Sequence, residues 1–177
     1  LGGRGQDSRE TVSATLPMRI NSQRGRTEYL LVGLVRNDDG LVAYPMGKGS
    51  GSVTTFSCAD GFMTIGQHIE IVDAGSDVTV QLLGGQLEPA DLVIIGSHCV
   101  GLDFLIGEMQ KRGISCKFLA VGSMGGVLAA QRGECDLAGT HLLHEASDQY
   151  NRHLLTAELH LHKGYHRSQG LLFRHDD

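Results

Sequence analysis

A chain of 177 residues with 41% hydrophobic content holds enough apolar material for one large core or two small ones, and it can fold without disulfide staples. Fifteen Lys and Arg against 20 Asp and Glu leave a net charge of −5, which excludes a basic field for gripping nucleic acid or an anionic membrane. No apolar run approaches the roughly 20 residues of a membrane helix, and LGGRGQDSRETV lacks the apolar centre of a secretory signal, so the expected setting is soluble and cytoplasmic.

From about Thr11 to Leu83, short β-rich runs alternate with turn signals. EYLLVGLV, the turn RNDDG and LVAYPM predict a hairpin in which Gly40 takes a positive φ. HIEIV and DVTVQLL predict a second pair of strands joined through Asp73-Ala74-Gly75-Ser76. With no convincing long helix, this half reads as a small all-β barrel or sandwich. GGQLEPA, residues 84–90, then breaks the pattern with glycines and Pro89 and reads as a connection.

Beyond it the periodicity changes. DLVIIG is a continuous apolar strand, GLDFLIGEMQKRG an amphipathic helix ending at Gly113, SCKFLAVG a second strand, MGGVLAAQRGE a second short helix and CDLAG a third strand. That alternation predicts a mostly parallel sheet wound with right-handed crossovers. The expected organisation is therefore two domains, an all-β unit over residues 9–84 and an α/β unit over residues 90–177.

Ligands of parallel sheets sit at the carboxyl ends of the strands. Three strand exits draw attention: Gly96-Ser97-His98, Gly122-Ser123-Met124-Gly125-Gly126 and Gly139-Thr140-His141. Each follows a small residue with a hydroxyl or imidazole, so main-chain N–H groups and side-chain donors can converge as an anion cradle. Gly125 and Gly126 would let an oxyanion reach the main chain, while Ser123 either donates to it or caps the helix. The plainer alternative is an ordinary N-cap and tight turns. No Lys or Arg lies within the exits, which favours recognition by neutral donors, and the absence of GxxxxGK[ST] argues against a P-loop nucleotide site.

Cys58, Cys99, Cys116 and Cys135 lie far apart without CxxC spacing, which predicts reduced, mostly buried thiols. His141 and His144 could share a helix face, and His160 and His162 a strand face. Without a carboxylate or thiol at diagnostic spacing, surface imidazoles are the expected outcome and no metal site is assigned.

Residues 90–172, with the GSH exit, the S-x-G-G loop, DLAGTHL and the later pairs Tyr150-Asn151 and Gln169-Gly170, resemble the periplasmic-binding-protein-like domain of molybdate-binding type. The resemblance implies the first lobe of a three-layer α/β domain. Its oxyanion contacts would come from Ser97, His98, Ser123, Met124, Gly125, Gly126, Thr140, His141, Tyr150 and Asn151. The stretch GRTEYLLVGL…GLVAYPMGKGSGSVTTFSCADGFMTIG resembles the C-terminal β-domain of molybdopterin molybdotransferase, the family that includes the C-terminal region of gephyrin. Here Arg26 and Ser50 become candidates for contacting the molybdopterin phosphate or incoming molybdate, Arg through its planar fork.

Together the resemblances imply molybdenum cofactor biosynthesis, with molybdate as ligand, molybdopterin as substrate of the parent protein, and a homodimer. Magnesium ligands and catalytic carboxylates are expected only in a core upstream of this segment. The initial Leu and the single lobe suggest a piece of a longer protein that is not catalytic alone. A non-catalytic sensing module for molybdate or a cofactor precursor is the alternative.

Overall fold

The computed structural model describes residues 10–47, 58–84 and 86–166. Five strands close a barrel in the order β1 (Thr11–Thr15), β4 (Gly40–Pro45), β3 (Glu28–Asn37), β5 (Gly61–Ile65) and β7 (Asp77–Leu82), with β7 pairing back onto β1. The interior follows from the period-2 alternation of EYLLVGLVRN, which sends Leu30, Val32 and Leu34 inward to meet Ala14, Leu16, Ala43, Met63, Ile65 and Val80. The β3–β4 hairpin turns where the sequence predicts. Asn37 Oδ1 accepts the N–H groups of Asp39 and Gly40, each at 3.0 Å, and Gly40 has φ +141°.

The second expected strand pair does not form. HIEIV contributes only β6 (Ile71–Val72), which pairs with β2 (Ile20–Asn21), while β7 lies between β1 and β5. The turn after β6 is claimed by the end of the first strand instead: Leu16 N–H donates to Ser76 O at 3.0 Å, and Gly75 N–H to Leu16 O at 2.8 Å.

In the second unit β8 (Leu92–Gly96) pairs in parallel with β9 (Cys116–Ala120) through α1 (Val100–Lys111), which ends near Gly113 as expected. Next comes α2 (Gly122–Gln131). The expected third strand is reduced to one parallel bridge, Ile94 to Leu137. Asp136 explains the shortening, because its Oδ2 accepts Val93 N–H at 2.8 Å and so occupies a donor that a further strand would pair. The parallel sheet is therefore small, ordered β9, β8, Leu137. A short hairpin of β10 (Leu143–His144) and β11 (Gln149–Tyr150) follows. Among the described residues no helix is long and apolar enough to cross a membrane.

The two units share a second apolar cluster. Gly33 and Val35 face outward from β3 yet are buried, because Leu119 of β9 packs on them; Val42, Tyr44, Ile95 and Ala129 complete the cluster. A Cβ at Gly33 would stand 2.5 Å from Leu119 Cδ2, so the missing side chain makes the socket for the leucine. None of the four cysteines is in a disulfide and none is fully buried: Cys58 is exposed and the other three are half-buried, Cys135 packing against the second apolar cluster.

Candidate functional site

The backbone gathers the three exits at one edge of the small sheet. Ser97 N–H donates to Gly139 O at 2.9 Å, and Val121 N–H donates to Gly96 O at 3.0 Å. Glycine at 96 is required, since its φ is +155° and a Cβ would lie 2.5 Å from Gly139 O. Gly126 has a different use from the one its sequence position suggests. A Cβ there would stand 2.6 Å from Ile95 O and 2.7 Å from Gly96 Cα, so the residue is consumed in laying α2 on the end of β8 rather than in admitting a ligand. Gly125 likewise turns toward Val121, whose Cγ2 lies 2.8 Å from where its Cβ would be.

Ser123 is not the helix cap. Val121 holds that position without a side-chain cap bond, and Ser123 sits inside the first turn of α2, 8% exposed. Its Oγ accepts the His141 main-chain N–H at 3.2 Å and lies 3.0 Å from His141 Nδ1. Thr140 Oγ1 donates to Asn151 Oδ1 at 3.1 Å, and Leu142 N–H donates to the same oxygen at 2.7 Å. Asn151 holds this position with φ +62° and returns its amide to Thr140 O at 3.3 Å. Ser123 with His141 and Thr140 with Asn151 thus form two hydrogen-bonded pairs on adjoining residues, and Ser97 joins this group only through its main-chain bond to Gly139.

The other expected residues stand at its margin or apart. His98 turns to Asp103 of α1, with Nε2 2.9 Å from Oδ1, and stacks at a tilt on Phe118. Met124 and Tyr150 are exposed, 48% and 57%. Arg26 is exposed on the barrel in the turn before β3, and Ser50 lies outside the described residues, as do the 49–51 turn and the Gln169-Gly170 pair. The histidine pairings are corrected. His141 is in an irregular segment and His144 in β10, because the chain after Gly139 builds a hairpin rather than a helix; His144 stacks on His153 at 4.7 Å. His160 and His162 lie outside any strand. Among the described residues no group of three or more His, Cys, Asp or Glu is placed to hold a metal ion.

Two polar clasps across the unit boundary escaped the sequence reading. Tyr44 of β4 donates its hydroxyl to the buried Glu134, whose carboxylate also receives Arg132 in a two-pronged pair at 2.7 and 2.8 Å. Burial first, then the Glu134 carboxylate, raises the Tyr44 phenol far above its ordinary range; the hydrogen bond to Glu134 holds Arg132 still more firmly protonated. In the second clasp Lys117 of β9 pairs with Asp60 and donates to Leu34 O at 2.6 Å, while Asp60 accepts Leu34 N–H at 2.6 Å. A lysine inside the apolar run SCKFLAV was the available signal, since a charge on such a strand needs a partner. Between the clasps lies a cleft of about 360 Å³ lined by Leu34, Val35, Leu87, Pro89 and Cys135, and burial pushes the Cys135 thiol up to about 11.

Comparison with known proteins finds a match in each half. Residues 13–83 match the family model of the MoeA C-terminal region (domain IV), and residues 106–177 match that of the PBP superfamily domain. No curated protein matches the chain. Among solved structures, a molybdopterin biosynthesis MoeA protein from Pyrococcus horikoshii is 36% identical over 44% of this chain and 18% of its own, with a TM-score of 0.35. A second structure of a MoeA protein from that organism is 27% identical over 44% and 19%, TM-score 0.37. A molybdenum cofactor biosynthesis protein from Pyrococcus furiosus is 26% identical over 44% and 27%, TM-score 0.36. The chain spans 18–27% of the length of these proteins. Residues 13–83 are thus similar to the MoeA C-terminal region, and residues 106–177 to the PBP superfamily domain.

Proposed function

We propose that the chain serves molybdenum cofactor biosynthesis by holding molybdate at the three strand exits of its second unit and helping to deliver it to molybdopterin. The observation that carries the reading is that the three exits lie side by side: Ser97 N–H donates to Gly139 O, Val121 N–H donates to Gly96 O, and Ser123 of the second exit bonds His141 of the third. A tetrahedral oxyanion needs several donors from different directions, and no single helix terminus supplies them. The match of residues 13–83 to the MoeA C-terminal region supports the pathway, and the PBP superfamily match supports a binding rather than a catalytic role for the second unit.

On this reading residues 9–84 and 90–177 are the two functional units, the second being one lobe of a three-layer domain. Arg26 and Ser50 on the first unit contact the molybdopterin phosphate in a homodimeric parent protein. Tyr150 and Met124, exposed beside the cluster, form its rim. The clasps at Tyr44 and Lys117 fix the cluster relative to the barrel, so anion capture and presentation share one frame.

Calorimetric titration of the chain with sodium molybdate, tungstate and sulfate tests the reading. Binding of molybdate that weakens at least tenfold in the Ser97→Ala, Ser123→Ala double variant is the expected result. Equal affinity in wild type and double variant, or no affinity for any of the three anions, would refute it.

A further inference from the structure

We propose that oxyanion binding at the strand exits is coupled to the uptake of a proton by His141. The inference rests on the reading of the exits as an anion site, and it follows from counting donors and acceptors at Ser123.

A hydroxyl has one hydrogen to give and two lone pairs to accept with. At Ser123 one lone pair takes the His141 main-chain N–H at 3.2 Å. With His141 neutral and Nδ1 unprotonated, the hydroxyl hydrogen goes to Nδ1, 3.0 Å away. Nothing is then left to donate, and an oxyanion, which only accepts, gains no bond from Ser123. Protonation reverses the bond. Nδ1–H now donates to the second lone pair, Ser123 becomes a double acceptor, and its hydrogen is free for the anion.

Charge points the same way. Residues 96–103, 121–126 and 139–144 contain no Lys or Arg, and Arg152 beside Asn151 is exposed, so a positive charge gained at His141 would be the one that acts on an anion at the exits. The titratable groups on the surrounding elements are few. On the first exit His98 is paired with Asp103; the second exit carries none. On the β10–β11 hairpin His144 is stacked on His153 and bonded to Ser147 at 2.8 Å, with Glu145 and Asp148 exposed beside it. Of these, His141 alone bonds directly to an exit hydroxyl. Proton uptake there supplies a cation and a donor in one step. The neutral Nδ1–H tautomer also frees the Ser123 hydrogen, but it adds no charge and gives no pH dependence, so the two routes separate experimentally.

The test is calorimetric titration of the whole chain with sodium molybdate between pH 6.5 and 8.5, in two buffers of different ionisation enthalpy. The expected result is affinity falling about tenfold per pH unit on the alkaline side, with about one proton taken up per anion. His141→Gln, whose amide donates to Ser123 without charge, should bind more weakly and with a flat pH profile. In the NMR spectrum, the ring signal absent from His141→Gln should move toward the imidazolium position when molybdate is added to wild type at pH 7.5. Wild-type binding with no pH dependence and no proton uptake overturns the coupling and leaves the anion site standing. An unchanged pH slope in His141→Gln also overturns it, by assigning the proton to another group. No binding at any pH overturns the anion site itself, and the coupling with it.

Discussion

Truncating Leu119 to alanine and filling Gly33 with a methyl group should each destabilise the protein, and the two changes together should cost clearly less than their sum. Leu119 is 4% exposed and packs into the socket left by the absent side chain of Gly33. Buried Leu→Ala changes cost about 2–5 kcal/mol, more where the surroundings cannot collapse. The walls here are strand backbone at β3 and the cluster of Val35, Tyr44, Ile95 and Ala129, so the expected loss is in the upper half, roughly 3–5 kcal/mol. Gly33→Ala alone drives a Cβ to 2.5 Å from Leu119 Cδ2, and the buried leucine has little room to yield; about 1–3 kcal/mol is expected. With Leu119 already shortened, the clash vanishes and the new methyl occupies vacated space. The double-mutant cycle should therefore show a coupling of about 2 kcal/mol favouring the pair. Urea unfolding followed by far-UV circular dichroism measures all four proteins. Additivity within about 0.5 kcal/mol would mean that Leu119 and Gly33 do not touch in solution, and the packing of the two units described above would be wrong.

Tyr44→Phe leaves the buried Glu134 short of one donor and should cost about 1.5–3 kcal/mol at neutral pH, the range for a hydrogen bond to a charged group. The native phenol is held above its unfolded range near 10, so its contribution is complete below that pH and is lost as pH rises toward the native value; alkaline unfolding scans should fall less steeply for Tyr44→Phe than for wild type. Alkylation by iodoacetamide at pH 8, followed by peptide mass spectrometry, should modify exposed Cys58 first and Cys135 far more slowly, since a thiol at about 11 is only about 0.1% thiolate there. Equal labelling rates in the folded protein would contradict the burial assigned to Cys135.

What the sequence reveals, and what it conceals, divides by distance along the chain. The β3–β4 hairpin is readable because every determinant lies within a dozen residues: alternating apolar positions, an asparagine that bonds to the next turn, and a glycine at positive φ. The parallel pair β8–β9 is readable for the same reason, two apolar runs separated by one amphipathic helix. Burial of Gly33 and Val35 is not, because their period marks them as outward and only the arrival of Leu119, 86 and 84 positions later, covers them. Tyr44 and Glu134 are 90 residues apart, and neither carries a local sign of the other.

The site behaves likewise. Strand exits with small residues and hydroxyls point to one edge of the sheet, and the backbone does set the exits side by side there; what the spacing cannot tell is where each hydrogen goes. Thr140 and Asn151 settle their bond through a left-handed turn eleven residues on, and Ser123 meets His141 across the sheet edge. On the proposed reading those commitments decide which donors are left for an anion. A hydroxyl already donating within the chain must be released before it can serve a ligand, and at Ser123 the partner is the ring nitrogen His141 Nδ1. On the proposed reading, the exits depend for anion binding on the bond state of His141 as well as on the number of donors present.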